Sequence, residues 1–272
     1  MGKRVLFGAL LLAALAGVYL LDTAVLHGAW LTRGLIWLLA LGMLHEILVL
    51  ARPRVDGAPG LFLMGAVALV VVALFPMLEG EPVPGAMLVA GILIAGGARL
   101  LGTAPLRGAP AAFPEAVVLA GALALAGGCL SFLDRLAVES VASAFAVVAI
   151  SKTNDICAYF VGTLVGRVRI VPSISPKKTW EGTIAGVLGA AGVAALLARP
   201  LTGQDMPPTY AAVIGAVLGA ASFLGDLIAS GIKRWAGVKD SASLLPGFGG
   251  ILDLLDGLLL AAPVAVLCIH GS

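Results

Sequence analysis

Residues 209–234 read TYAAVIGAVLGAASFLGDLIASGIKR. No charged side chain occurs between Thr209 and Gly225, and then Asp226, Ser230, Lys233 and Arg234 follow in quick succession. An apolar stretch of this length is what one helix needs to cross about 30 Å of hydrocarbon. The four polar residues fall at i, i+4, i+7 and i+8, so they form one polar stripe on an otherwise apolar helix. A carboxylate near the centre of a membrane helix costs roughly 2.5–3.5 kcal/mol on insertion scales, so Asp226 needs a compensating partner.

Working outward, similar stretches lie near 5–21, 34–52, 60–78, 84–102, 115–133, 138–162, 180–198 and 250–270, nine in all with 209–234. The whole chain has 272 residues, 60% hydrophobic and 12% charged, with a mean hydropathy of +1.08. Soluble domains carry about 25% charged residues, so a water-soluble globule is excluded and no large soluble domain fits beside the spans. The expectation is an all-α polytopic membrane protein of about nine helices. The apolar run after Lys3 and Arg4 reads as a signal peptide or a first anchor, and the many later spans favour a retained anchor.

Loops near Pro53–Gly60, Glu79–Pro84 and Thr103–Pro114 are short enough for charge counting. With a cytoplasmic N-terminus, one face collects Lys3, Arg4, Arg52, Arg54, Arg99, Arg107, Arg167, Arg169, Lys177, Lys178, Lys233, Arg234 and Lys239, and the other only Arg33, Arg135 and Arg199. Thirteen basic residues against three, leaving aside Lys152 inside a span, place the N-terminus inside and the C-terminus outside. Cys129, Cys157 and Cys268 form no C-x-x-C, and His27, His45 and His270 have no zinc-type spacing. Any metal would therefore be a hard cation on carboxylates.

Two regions emerge. Residues 1–140 hold about five spans nearly free of ionisable groups apart from His45 and Glu46, structural or lipid-facing in character. Residues 141–272 carry the polar clusters, and so any chemistry. His45-Glu46 reads as a satisfied pair near a helix end. No internal repeat is evident, which weakens an inverted-repeat transporter.

Three clusters stand out in the second region. Ser151-Lys152-Thr153-Asn154-Asp155 precedes Tyr159, which shares a helix face with Asp155. It is either a snorkelling helix end or a binding site. A loop from Arg167 to Thr179 ends in Ser175-Pro176-Lys177-Lys178-Thr179, with the lysines expected at a helix start, where cations beside free amides suit phosphate. The plainer alternative is a basic loop on anionic headgroups. The third runs from Gly225 through Lys239-Asp240 and Pro246-Gly247-Phe248-Gly249-Gly250 to Asp253-x-x-Asp256, whose two aspartates are expected on one face of a helix antiparallel to 209–234. Ion pairs with Lys233 and Arg234 would satisfy these carboxylates structurally. A magnesium ion held by one or two of them plus substrate phosphates explains more. There is no G-x-x-x-x-G-K-[ST] loop, and Gly182-x-x-x-Gly186 and Gly215-x-x-x-Gly219 read as packing faces.

In order, these segments resemble the phosphatidate cytidylyltransferase (CDP-diacylglycerol synthase) family, whose signature reads S-x-x-K-R-x-x-x-x-K-D-S, P-G-H-G-G and D-R-x-D. It stands here as Ser230-x-x-Lys233-Arg234, Lys239-Asp240-Ser241, Pro246-Gly247-Phe248-Gly249-Gly250 and Asp253-Leu254-Leu255-Asp256. Asn154-Asp155, Ala158-Tyr159-Phe160 and Ser175 to Gly182 are similar to that family's upstream pattern. Phe248 replaces its usual histidine and Leu254 its usual arginine.

The resemblance implies transfer of a cytidylyl group from CTP to phosphatidic acid at the cytoplasmic face of a membrane, in a bacterial setting the inner membrane. Asp226 and Asp253 would then bind magnesium, with Asp256 as a further ligand and Asp240 and Lys239 supporting catalysis. A second, monovalent cation such as K+ is associated with the family. Lys177, Lys178, Lys233, Arg234 and Lys239 would hold the triphosphate and lipid phosphate. Asn154, Asp155, Tyr159, Ser175, Thr179 and Ser230 would complete the substrate cavity. Membrane lipids and a second copy of the chain are the candidate partners, and nucleic acid is not. The competing class is an ion-coupled transporter using the buried carboxylates, which would not explain a basic cluster confined to one face.

Overall fold

The computed structural model describes residues 2–51, 129–202, 206–242 and 249–270. Helices α1 (Gly2–Ala24) and α2 (Trp30–Ala51) come first, followed by a helical stretch over 129–139 and α3 (Val141–Leu164). A hairpin of β1 (Arg169–Val171) and β2 (Ser175–Thr179) leads into α4 (Trp180–Leu196) and the short α5 (Ala198–Thr202). Then come α6 (Pro208–Trp235), α7 (Ile251–Leu255) and α8 (Leu258–His270).

Among the described residues, four stretches are long and apolar enough to cross a membrane, at Trp30–Leu50, Val141–Leu164, Pro208–Trp235 and Ile251–Ile269. Leu12–Ala24 and Trp180–Leu196 are shorter apolar helices. Six of the nine expected spans thus fall on described helices. Those at 60–78 and 84–102 and most of 115–133 lie outside the described residues, as do Arg52, Arg54, Arg99, Arg107 and Phe248. Large apolar side chains such as Ile184, Leu188, Leu196 and Val213 point outward, which suits a hydrocarbon surrounding and not water.

Helices α3, α4 and α6 pack against one another, and small residues set how closely. A Cβ on Gly182 would come within 2.6 Å of the Ala158 carbonyl oxygen, and one on Gly186 within 2.8 Å of that of Asn154. Gly215 likewise faces Ala190 and Ala194, both completely buried. In lipid, where hydrophobic burial between helices supplies little, such backbone approach is the main source of association through dispersion contacts. Both expected small-residue stripes are therefore packing faces.

The helix ends gather at opposite ends of the bundle. Fully buried Asp22 accepts the Leu31 and Thr32 amides at 2.9 and 2.6 Å, capping α2. Close by, Arg33 forks onto buried Asp134, with Nε–Oδ1 2.9 Å and Nη2–Oδ2 3.2 Å. About 20 Å along α2 from Arg33, by its rise of about 1.5 Å per residue, Glu46 reaches the polar end of the molecule.

Gly225 of α6 abuts Asp256, Gly257 and Leu260, while Lys233, two turns on, meets Asp253. The two elements are therefore antiparallel, as expected. Helix α6 ends where Gly237 takes φ +78°, its amide donating to the Arg234 carbonyl oxygen at 3.0 Å and that of Val238 to Lys233 at 2.9 Å.

Two local expectations are corrected. Lys177 and Lys178 lie in strand β2, not at a helix start. Helix α4 begins at Trp180, with the Thr179 hydroxyl accepting the Gly182 amide at 3.3 Å and Glu181 in the first turn, where an acidic group suits the dipole. The single helix expected over 250–270 is interrupted, since α7 stops at Leu255 and α8 starts at Leu258. Asp256 sits at that break, its Oδ1 accepting the Gly257 amide at 2.7 Å.

Candidate active site

Two groups of bonds make up the site. The first surrounds Asp226, Asp256 and Asp155. Gly225 lets α6 press onto the junction of α7 and α8, since a Cβ there would lie 2.6 Å from the Asp256 carbonyl oxygen. That approach brings Asp226 beside Asp256. Lys178 leaves strand β2 to pair with Asp226 Oδ2 at 2.7 Å, donates to the Phe223 carbonyl oxygen at 3.4 Å, and lies 4.6 Å from the centre of the Phe223 ring. The Ser230 hydroxyl, one turn on, donates to Asp226 Oδ1 at 3.4 Å.

Lys152 binds Asp155 Oδ2 at 2.8 Å and stands 4.0 Å from Asp256 Oδ1. Asp155, Asp226 and Asp256 all act on the Lys152 charge. Three carboxylates and two ammonium groups so close together in a helix bundle would be costly as separate ions, and they offset one another. Asp226 and Asp155 keep 27% and 31% of their side chains exposed, so the cluster is open at its mouth.

The second group surrounds Asp253. Lys233, itself buried, meets Oδ1 at 2.5 Å. Oδ2 accepts the amides of Ser241 and Gly250 at 2.9 and 3.0 Å and the Ser241 hydroxyl at 3.0 Å. Gly249, with φ +89°, has a backbone conformation that side chains rarely adopt, and a Cβ there would press on the Asp253 carboxylate. The paired glycines thus have a local reason in the fold of this turn.

Beneath the two groups, the hydroxyls of Ser151 and Ser222, both fully buried, are 2.9 Å apart, with Gly257 against them. Asn154 is buried between Gly186 and Gly219, and its Oδ1 has no hydrogen-bond partner among the described residues. Thr179 caps α4, and Ser175 pairs with Val171 in the hairpin. Arg234 donates to the carbonyl oxygens of Ile174 and Val238 at 3.2 and 3.0 Å, tying the hairpin to the end of α6.

Lys177, Lys239 and Asp240 are exposed. Tyr159 is 69% exposed and packs edge-on to Phe160, not against Asp155. Leu254 packs against the hydrophobic core, where an arginine would face apolar neighbours.

Glu46, Ser241 and Lys152 were not among the expected site residues. Lys152 had a signal, since it stands three residues before Asp155. Glu46 reads as part of a His-Glu pair, yet His45 is exposed and Glu46 is buried, with partners about 200 residues away.

Among the described residues, no three of His, Cys, Asp and Glu stand close enough together to hold a metal ion. Lys152 stands between Asp155 and Asp256, and Lys178 is paired with Asp226. The donors are nevertheless oxygen alone, from adjacent helices, beside cations suited to phosphate, and that chemistry fits magnesium.

Two comparisons with known proteins bear on this site. The profile of the Cytidylyltransferase family matches residues 5–271. A phosphatidate cytidylyltransferase of Brucella suis is 38% identical over 240 residues, covering 86% of this chain and 82% of that protein. Proteins of the same name from Chlamydia trachomatis and Mycobacterium tuberculosis are 42% and 40% identical over 122 and 112 residues. Those matches cover 43% and 41% of this chain, and 40% and 34% of the relatives. Because the profile takes in the N-terminal helices as well as the polar second half, the whole chain belongs to the cytidylyltransferase family.

Proposed function

We propose that the protein transfers the cytidylyl group of CTP to phosphatidic acid, giving CDP-diacylglycerol and pyrophosphate for phospholipid synthesis. The observation that carries this is the convergence of Asp226, Asp256 and Asp155 with Lys152 and Lys178 at one end of an apolar helix bundle. A lipid phosphate and a triphosphate can meet there. The lipid phosphate oxygen attacks the α-phosphorus of CTP, a new P–O bond forms, and the bond to the β-phosphate oxygen breaks. The nucleophile is already an anion, so the obstacle is charge repulsion and alignment, not proton removal.

Lys178 and Lys233 neutralise and orient phosphate oxygens, with Arg234 and the exposed Lys177 and Lys239 at the mouth. Asp226, Asp253 and Asp256 are the residues that would hold magnesium. Bound to them, magnesium supplies charge neutralisation on the triphosphate and the departing pyrophosphate. With a triphosphate present, Lys178 and Lys233 have anionic oxygens to bind instead of Asp226 and Asp253, which leaves carboxylate oxygens for the metal. Asp155 holds Lys152 in place, and Asn154, Ser175, Thr179 and Ser230 support the cavity walls. A monovalent cation such as K+ would suit a remaining carboxylate.

We further propose that the nine apolar stretches of the sequence are spans, with the N-terminus inside and the site facing the cytoplasm, where CTP is found. The thirteen-to-three basic asymmetry supports this orientation. The experiment is pyrophosphate release by purified protein, which should require CTP, phosphatidic acid and magnesium together. Release without lipid would refute the lipid acceptor.

A further inference from the structure

We propose that Glu46 on α2 is a positioning residue for Asp253, acting through Ser241 and the first turn of α7, so that the N-terminal half of the chain helps set the geometry of the active site. This role rests on the function proposed above. Glu46 is 2% exposed and its carboxylate accepts three hydrogen bonds. Oε1 takes the Ile251 amide at 2.7 Å, and Oε2 takes the Leu252 amide at 2.9 Å and the Ser241 hydroxyl at 2.8 Å. Ile251 and Leu252 immediately precede Asp253, and Ser241 is itself bonded to it.

The Ser241 hydroxyl stands between two carboxylates, 2.8 Å from Glu46 Oε2 and 3.0 Å from Asp253 Oδ2. It has one proton to share between them. Glu46 therefore influences how firmly Asp253 is held and how much acceptor capacity Asp253 retains. Its own place is fixed by close packing. A Cβ on Gly250 would collide with both Ser241 Oγ and the Glu46 carboxylate, and one on Gly42 with the Ile251 side chain. Helix α2 is thus pressed onto the turn that carries Asp253.

Substitution separates positioning from simple capping. In Glu46→Gln one acceptor oxygen becomes an NH2 donor, which must face either a backbone amide or the Ser241 hydroxyl, while side-chain volume is kept. Glu46→Asp keeps the charge but withdraws it by one methylene.

The test compares wild type, Glu46→Gln, Glu46→Asp, Ser241→Ala and the Glu46→Gln/Ser241→Ala double variant, purified in detergent. Steady-state kcat and KM for CTP and phosphatidic acid are measured per folded protein, beside the thermal unfolding midpoint. Glu46→Gln should lower kcat by about tenfold or more with KM for CTP little changed, since displacement at a reacting centre acts on the transition state. Glu46→Asp should restore part of the rate, and the double variant should lose little beyond the worse single one, because both act through one network. If Glu46→Gln is not recovered folded, Glu46→Asp and Ser241→Ala decide by the same kcat criterion. Wild-type kcat in the folded variants, or losses that multiply in the double variant, would overturn this role alone. A wild-type protein without CTP-dependent synthesis would overturn the proposed function and this role with it.

Discussion

Gly225→Ala tests whether the spacing of the site, as distinct from its charges, sustains the reaction. The added Cβ would stand 2.6 Å from the Asp256 carbonyl oxygen, 3.1 Å from that of Gly257 and 3.3 Å from the Leu260 amide nitrogen, where ordinary contact begins at 3.4 Å. All three neighbours are backbone atoms, so none can swing aside. Helix α6 and the break between α7 and α8 must part by several tenths of an ångström, which moves Asp226 away from Asp256. Overpacking of this kind costs about 1–3 kcal/mol of stability, and misplacement approaching 1 Å at a reacting centre costs up to about 100-fold in rate.

The control is Gly231→Ala, on the same helix, where a Cβ meets nothing within 4 Å. It should leave the rate unchanged and, through helix propensity, hold or raise stability by up to about 1 kcal/mol. Steady-state kcat and thermal unfolding in detergent report the two effects separately. Equal, wild-type behaviour of both variants would refute the inference that close approach at Gly225 sets the site.

Asp226→Asn should abolish magnesium-dependent turnover while the protein remains inserted, as judged by membrane fractionation. A near-normal rate would return Asp226 to a structural ion pair with Lys178. Lys178→Ala should weaken use of CTP or phosphatidic acid by the roughly 1.5–3 kcal/mol of a charge-assisted contact, whereas the more exposed Lys177→Ala should cost less; kinetics titrated in each substrate would show the difference. Reporter fusions after Ser272 and within 80–84 should both be exported, and a cytoplasmic signal from either would contradict the topology.

Much of this was legible in the sequence because lipid imposes a strong constraint. A helix that must satisfy every backbone bond internally leaves a run of apolar residues, and α2, α3, α6 and the α7–α8 stretch lie where those runs predicted. The small-residue stripes were legible for the same reason. The interruption at Asp256 was not, since hydropathy averaged over residues 250–270 does not register a break of two residues. The strand position of Lys177 and Lys178 had a local signal that went unread: Thr179 before Trp180-Glu181 is a helix start with a hydroxyl cap and an early acid. Glu46 had no such signal. Its partners lie 195 to 206 residues away, and only the packing of α2 on α7 brings them together.

The central claim is cytidylyl transfer by a chain that departs from its family's pattern at Phe248 and Leu254. Its most direct test supplies purified wild-type protein with phosphatidic acid, magnesium and CTP labelled separately on the α- and γ-phosphates, alongside Phe248→His and Leu254→Arg. The candidate metal ligands and phosphate-binding cations are present in the native sequence. Wild type should therefore carry the α-label into lipid and release the γ-label as pyrophosphate, in equal amounts. Label from the γ-phosphate in lipid, or α-label transfer only in the two variants, would contradict the account.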